Sequence, residues 1–133
     1  MGAGGGADAS AGAGGGLDVL DTVALNRLRA LDPGNRTGLL KRVLQTYTLS
    51  LERMLRQWSA ARAAGDASAM RSVAHTLKSS SASVGALGLS ALCADVEARL
   101  RDGHLESIEA QFDALAAESQ RILAGLSSHS GPA

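Results

Sequence analysis

The sequence predicts an all-α fold, an antiparallel up-down-up-down four-helix bundle with an additional short N-terminal helix. Three observations predict it. The apolar 45% of the 133 residues is mostly Leu and Ala, both strong helix formers, whereas aromatic residues make up only 2%, namely Tyr47, Trp58 and Phe112. Apolar residues recur at steps of three and four from Leu17 to Leu126, the period of an amphipathic helix rather than the alternation of a strand. Between these stretches stand Asp32-Pro33-Gly34, Gly65-Asp66, Gly85 and Asp102-Gly103, residue types that stop one helix and cap the next. A chain of this length holds one domain.

Residues 1–16 carry eight of the 16 glycines and no large apolar side chain after Met1, so they are expected to form a disordered Gly/Ala-rich tail. Gly2-Ala3-Gly4-Gly5-Gly6-Ala7 fits the letters of a nucleotide-binding fingerprint. No strand pattern precedes it and no P-loop lysine follows, so a leader or natural linker is the better explanation. The domain is expected over residues 17–126, and residues 127–133, which include His129, as a disordered C-terminal tail.

Within the domain, Leu17, Leu20, Ala24, Leu28 and Leu31 mark a short first helix with Asp18 or Asp21 as its N-cap. The stripe Leu40, Val43, Leu44, Tyr47, Leu51, Met54, Leu55 and Trp58, ending at Gly65, implies a second helix of about 28 residues and roughly 40 Å. Asp66 caps a third, with Met70, Val73, Leu77 and Val84 inward and Gly85 at its end. A fourth carries Leu89, Leu92, Val96 and Leu100 and stops at Asp102-Gly103; a fifth carries Leu105, Ile108, Phe112, Leu115, Ile122 and Leu126. Loops of about two to four residues between the last four make them antiparallel neighbours, with the first helix capping or flanking the bundle.

Thirteen basic and thirteen acidic residues give zero formal charge, which argues against a nucleic-acid binder that needs a basic field over its whole surface. The charge is nevertheless uneven: the segment from Arg27 to Lys78 sums to +7, and that from Asp95 to Arg121 to −4. These charges either solvate helix faces or offer a basic surface to something anionic. Cys93 is the only cysteine, so there is no intrachain disulfide and no CxxC metal spacing, and it reads as a small buried hydrophobe. No apolar run reaches the length of a membrane span and no secretory signal opens the chain, so a cytoplasmic protein with no membrane partner is expected.

The chemistry points to the third helix. At about 100° per residue, His75 lies roughly 200° from Val73 and 160° from Leu77 and so faces away from the core. Arg71, Ser72, Lys78, Ser79 and Ala82 share its face. The plain alternative is a surface histidine with no task. Small residues at Ser79 and Ala82, continued by Ser80, Ser81 and Ser83 where a helix interior does not favour serine, leave room for a partner to approach. Lys78 is placed to neutralise a phosphoryl group on the ring by a charge-assisted hydrogen bond, and Arg71 to add to it. A di-metal site would need Glu-x-x-His on facing helices, but Ser72 precedes His75 by three and Arg101 precedes His104 by three, so no metal is expected. No Gly-x-Ser-x-Gly turn supports a serine hydrolase, and His104, after Gly103, reads as a turn residue.

The run Ala74-His75-Thr76-Leu77-Lys78-Ser79-Ser80-Ser81-Ala82-Ser83-Val84-Gly85-Ala86 resembles the signature of histidine-containing phosphotransfer (HPt) domains, roughly H-x-L-K-G-S-S, a short stretch and Gly. The resemblance extends from Leu17 to about Leu126. It implies that His75 is the phosphoacceptor, taking a phosphoryl group from a receiver-domain aspartate and passing it to another receiver domain in a two-component phosphorelay. It implies Lys78 as the phosphate-stabilising cation and a docking surface of Arg71, Ser72, Ser79, Ala82, Glu97 and Arg101. Glu97 and Arg101 have an alternative as a solvated i, i+4 pair. The family often has Gly where this chain has Ser79, which leaves docking intact but bears on partner choice. The implied partners are response-regulator receiver domains, bringing their own Mg²⁺, and a hybrid sensor histidine kinase; no cofactor is implied here.

Two classes of function stay open on the residues: a phosphocarrier, and a non-catalytic helical adaptor that binds receiver domains without accepting phosphate. An autophosphorylating kinase is disfavoured because no ATP-binding lobe is present. Met1 and the Gly-rich tail favour a stand-alone protein over a module of a hybrid kinase, and a bundle complete in one chain is expected to be a monomer.

Overall fold

The computed structural model describes residues 17–129, all of whose regular elements are helical; the segments 1–16 and 130–133, both expected above to be tails, lie outside the described residues. The five α-helices are α1 (Thr22–Ala30), α2 (Leu39–Ala64), α3 (Ala67–Val84), α4 (Leu87–Asp102) and α5 (Ile108–His129), with 3₁₀ turns at Leu17–Val19 and Pro33–Asn35. Helix α2 packs on α3 and α5, α3 on α4, and α4 on α5, while α1 lies against α2 and α3. Leu51, Leu77, Leu89, Cys93, Val96, Leu115 and Ile122 have no exposed surface and form the middle of the core.

Helix α1 starts at Asp21, whose carboxylate accepts the Ala24 N–H at 3.1 Å. Of the stripe counted onward from Leu17, Leu20 and Ala24 are buried, and it fades only toward the C-terminal end of the helix. Leu25 is buried, Leu28 only partly, and Leu31 is 72% exposed. Asp32 then bridges to α2: its carboxylate accepts the N–H groups of Thr37 and Leu39, each at 3.1 Å. These bonds, that of Leu39 foremost, hold its carboxyl below the usual carboxylate range.

Local backbone chemistry accounts for the remaining helix ends. Gly65 turns left-handed (φ +67), and its N–H and that of Asp66 return to the carbonyls of Arg62 and Ala61 at 3.1 and 2.9 Å, closing α2 as a left-handed C-terminal residue does. Asp66 at once caps α3 by accepting the Ala69 N–H at 3.0 Å. Gly85 (φ +88) ends α3 and is also a contact: a β-carbon there would sit 2.8 Å from the Asp21 nitrogen and 2.9 Å from the Ala24 β-carbon. Its carbonyl accepts the Asp21 N–H at 2.8 Å, which ties α1 to the α3–α4 turn.

Four expectations need correction. The connection between α4 and α5 runs from Gly103 to Ser107, five residues rather than at most four, because Ser107 adopts positive φ (+60) and the helix begins only at Ile108. Leu105 therefore belongs to the turn and is 56% exposed, not part of the inward stripe. In α4 the deepest residue between Leu89 and Val96 is Cys93, with Leu92 and Leu100 only partly buried. Helix α5 passes the expected end at Leu126 and continues to His129, since neither Ser127 nor Ser128 breaks a helix as Gly131-Pro132 would.

At the α2–α5 contact, Trp58 meets Phe112 edge-on, with ring centroids 5.2 Å apart and planes at 84°. The Arg62 guanidinium lies over the same Phe112 ring at 5.1 Å and pairs with Glu109 and Asp113 at 2.6 and 3.0 Å. Both ion pairs are made by its Nη2, so one nitrogen of the guanidinium and the ring of Phe112 join α2 to α5.

Candidate functional site

On α3 the inward residues Met70, Val73, Ala74, Leu77, Ser81 and Val84 are buried, which turns His75 outward with its side chain 65% exposed. Leu77 has no exposed surface, so the helix cannot rotate about its axis without pulling Leu77 from the core. Ser81, grouped above with the small surface residues, is instead fully buried. Its hydroxyl pairs with the Tyr47 hydroxyl at 2.8 Å, so that both polar groups are satisfied beneath the site. Burial pushes the Tyr47 hydroxyl up to about 12, and it stays protonated.

Helix α4 supplies the second half of the site. Val96 and Cys93 point into the core with no exposed surface, and the adjacent Glu97 is thereby held along the α3–α4 seam. One of its oxygens lies 2.8 Å from Nδ1 of His75, and the other accepts a hydrogen bond from Nζ of Lys78 at 2.7 Å. The Glu97 side chain is 18% exposed and that of Lys78 36%. The Lys78 hydrogen bond chiefly, with that of His75, holds the Glu97 carboxyl below the ordinary range against the opposing pull of burial. The Ser90 hydroxyl adds a second tie across the seam by donating to the Lys78 carbonyl at 2.9 Å.

An ionised carboxylate only accepts. Nδ1 of His75 must therefore be the donor, and the lone pair of the neutral ring resides on Nε2. Lys78 has given one of three ammonium protons to Glu97, which leaves two for another acceptor. A nucleophilic nitrogen and a partly free cation thus share one exposed face, fixed by one carboxylate.

His75, Lys78 and Glu97 are the predicted site residues that the fold brings into direct contact. Arg71, Ser72, Ser79 and Ala82 are exposed on α3 around His75, and the Ser79 carbonyl accepts the Ser83 hydroxyl at 3.1 Å. Arg101 is not in the cluster: its guanidinium pairs with Asp102 at 3.0 and 3.2 Å. The expected alternative of a Glu97–Arg101 pair is not formed, because Glu97 is drawn to the two α3 partners. Tyr47, Ser81 and Ser90 support the site as well. Their contacts join different helices, and spacing within one helix carries no trace of them. Among the described residues, no group of three or more His, Cys, Asp and Glu side chains gathers as metal ligands, and no helix is long and apolar enough to cross a membrane.

The Hpt domain family matches residues 42–125, more than half of the chain and all of the His75, Lys78 and Glu97 cluster. The structure is similar to the crystal structure of histidine-containing phosphotransfer protein B (HptB) from Pseudomonas aeruginosa PAO1. The TM-score is 0.72 and the sequence identity 29%, covering 83% of this chain and 92% of that one. No curated protein sequence matches significantly. With the family match spanning the packed helices α2 to α5 and the exposed histidine of α3, the chain belongs to the Hpt domain family.

Proposed function

We propose that this Hpt protein is a phosphocarrier in which His75 takes a phosphoryl group from the aspartyl phosphate of one receiver domain and hands it to the aspartate of another. The observation that carries the reading is the exposed His75 ring whose Nδ1 is engaged by Glu97 at 2.8 Å, which leaves Nε2 as the nucleophile. Nε2 attacks phosphorus, the N–P bond forms as the P–O bond to the aspartate breaks, and the carboxylate departs with the donor receiver. Onward transfer runs the same exchange in reverse with a second receiver.

Such transfers depend on alignment and charge neutralisation more than on covalent help from the protein. The rigid α3 backbone supplies alignment, and the remaining protons of Lys78 supply charge. Arg71, Ser72, Ser79 and Ala82 border the docking floor with mostly small side chains. Mg²⁺ and the acidic pocket belong to the receiver, and the basic segment from Arg27 to Lys78 steers that pocket towards the site. Arg101, tied to Asp102, acts at the rim.

Further parts of the proposal are a cytoplasmic monomer loaded through a hybrid sensor histidine kinase, a single domain running from residue 17 to the end of α5, and an up-down-up-down arrangement of α2 to α5. The two-residue connections Gly65-Asp66 and Gly85-Ala86 and the closed circuit of helix contacts support the last of these and the monomer. The test is incubation with purified, phosphorylated receiver domains. Wild type is expected to acquire acid-labile phosphate, and His75→Gln to acquire none while still binding. Label that persists on His75→Gln, or wild type that binds charged receivers without taking label, sinks the carrier and leaves the adaptor.

A further inference from the structure

A ring that attacks through Nε2 already bears a proton on Nδ1, so forming the N–P bond makes it cationic. That proton then has two fates. Lost to water, it leaves a neutral N-phosphoimidazole, from which the ring would have to depart as imidazolate. Retained, it allows the ring to depart as neutral imidazole, a much weaker base and a better leaving group. The charged groups around the ring pull in opposite directions. Arg71 and Lys78 on α3 favour losing the proton. On α4, Glu97 favours keeping it, and Arg101, a turn further on, is paired with Asp102. Among the described residues no charged side chain of α1 or α2 pairs with the ring.

Resting on the phosphocarrier reading, we infer that Glu97 is a positioning residue that retains the Nδ1 proton on the phosphorylated ring and so keeps the phosphoryl group transferable. The geometry adds a coupling. At rest the two oxygens of Glu97 are divided between Nδ1 of His75 and Nζ of Lys78. When phosphoryl oxygens on Nε2 draw the ammonium of Lys78 to themselves, the full carboxylate charge is left facing the Nδ1 proton. Its hold on that proton then tightens just as the ring becomes cationic. The shielding of the carboxylate, 18% exposed, preserves this effect from solvent.

The test separates this role from the carrier reading by loading His75 chemically, with potassium phosphoramidate, which needs no partner protein. Glu97→Gln keeps a carbonyl able to accept from Nδ1 and removes only the charge; His75→Gln subtracts label on other histidines. Release of phosphate from His75, to water and to a purified receiver, is followed from mildly acidic to alkaline pH. The variant is expected to lose transfer at lower pH than wild type, and above that pH to discharge about three- to tenfold more slowly, the difference between a charged and a neutral hydrogen bond at a partly exposed site. ¹⁵N NMR of phosphorylated wild type is expected to show Nδ1 protonated near neutral pH. Superimposable pH profiles, or an unprotonated Nδ1 in phosphorylated wild type, overturn the inference, and the NMR arm holds even where the variant misfolds. Failure of receivers to load wild type overturns the carrier reading instead.

Discussion

Two faces of the molecule each pair a cation with carboxylate, and they differ in how the charges are shared. At the α2–α5 face, Arg62 is stacked on Phe112 and bound to both Glu109 and Asp113. Those carboxylates are about three-quarters exposed, so water shares the interaction. At the α3–α4 face a single shielded carboxylate serves both His75 and Lys78. The first arrangement binds its cation to two carboxylates and a ring of one neighbouring helix and holds α2 and α5 together. The second leaves an imidazole nitrogen and two ammonium protons unengaged, which is what a site for a transient ligand requires.

The comparison is broken most completely at His75. His75→Gln is expected to abolish acid-labile phosphate with a change in stability within about 0.5 kcal/mol, as for an exposed position, measured by label retention and thermal melting. Next comes the buried support. Tyr47→Phe strips the Ser81 hydroxyl of its partner and is expected to cost about 1–2 kcal/mol. Adding Ser81→Ala should cost less than the sum of the single changes in a double-mutant cycle by chemical denaturation, and a fully additive cycle would show that the pair is not coupled.

Acid is expected to loosen the α3–α4 face. The Glu97 carboxyl is held below its ordinary value by Lys78 and His75, so its contribution is present above the unfolded carboxylate value of about 4.3 and is lost as pH falls through the lower, folded value. The difference in melting temperature between wild type and Glu97→Gln should therefore shrink on acidification below about pH 4; a difference that grows would reverse the sign assigned here. The smallest effects belong to the α2–α5 face and to the rim of the site. Arg62→Ala should cost no more than about 1 kcal/mol and leave phosphorylation of His75 unchanged. Ser79→Gly should cost about 0.5 kcal/mol in helix propensity while preserving transfer, and a loss of transfer would assign Ser79 a direct part in docking.

How much of this could be read from residues alone follows from the range of the forces. Asp66, Gly65, Gly85 and Gly103 act on the backbone within a few residues, and the helix ends they imply agree with the structure. His75 was legible as an outward residue because Val73 and Leu77 fix the phase of α3. The stripe of α1 was legible as far as Ala24, but Leu31 stands past the last residue of the helix and is exposed. Ser81 looked like a surface serine because its partner, Tyr47, stands 34 positions earlier on another helix. Glu97 had two candidate sets of neighbours, Arg101 along its own helix and the α3 pair across the seam. Only the packing of α3 on α4 decides between them.

Gly85 alters how the signature in this chain should be understood. Its letter closes the motif that begins at His75, yet what the residue does in the structure is local: it is a socket, bare of side chain so that the start of α1 can rest on the carbonyl beneath. A short signature string can thus mix reactive letters with masonry. A protein engineer who grafted the run from His75 to Lys78 onto another helix would carry over the imidazole and the ammonium but leave behind the seat for the N-terminal segment, and with it the carboxylate that arrives from the neighbouring helix.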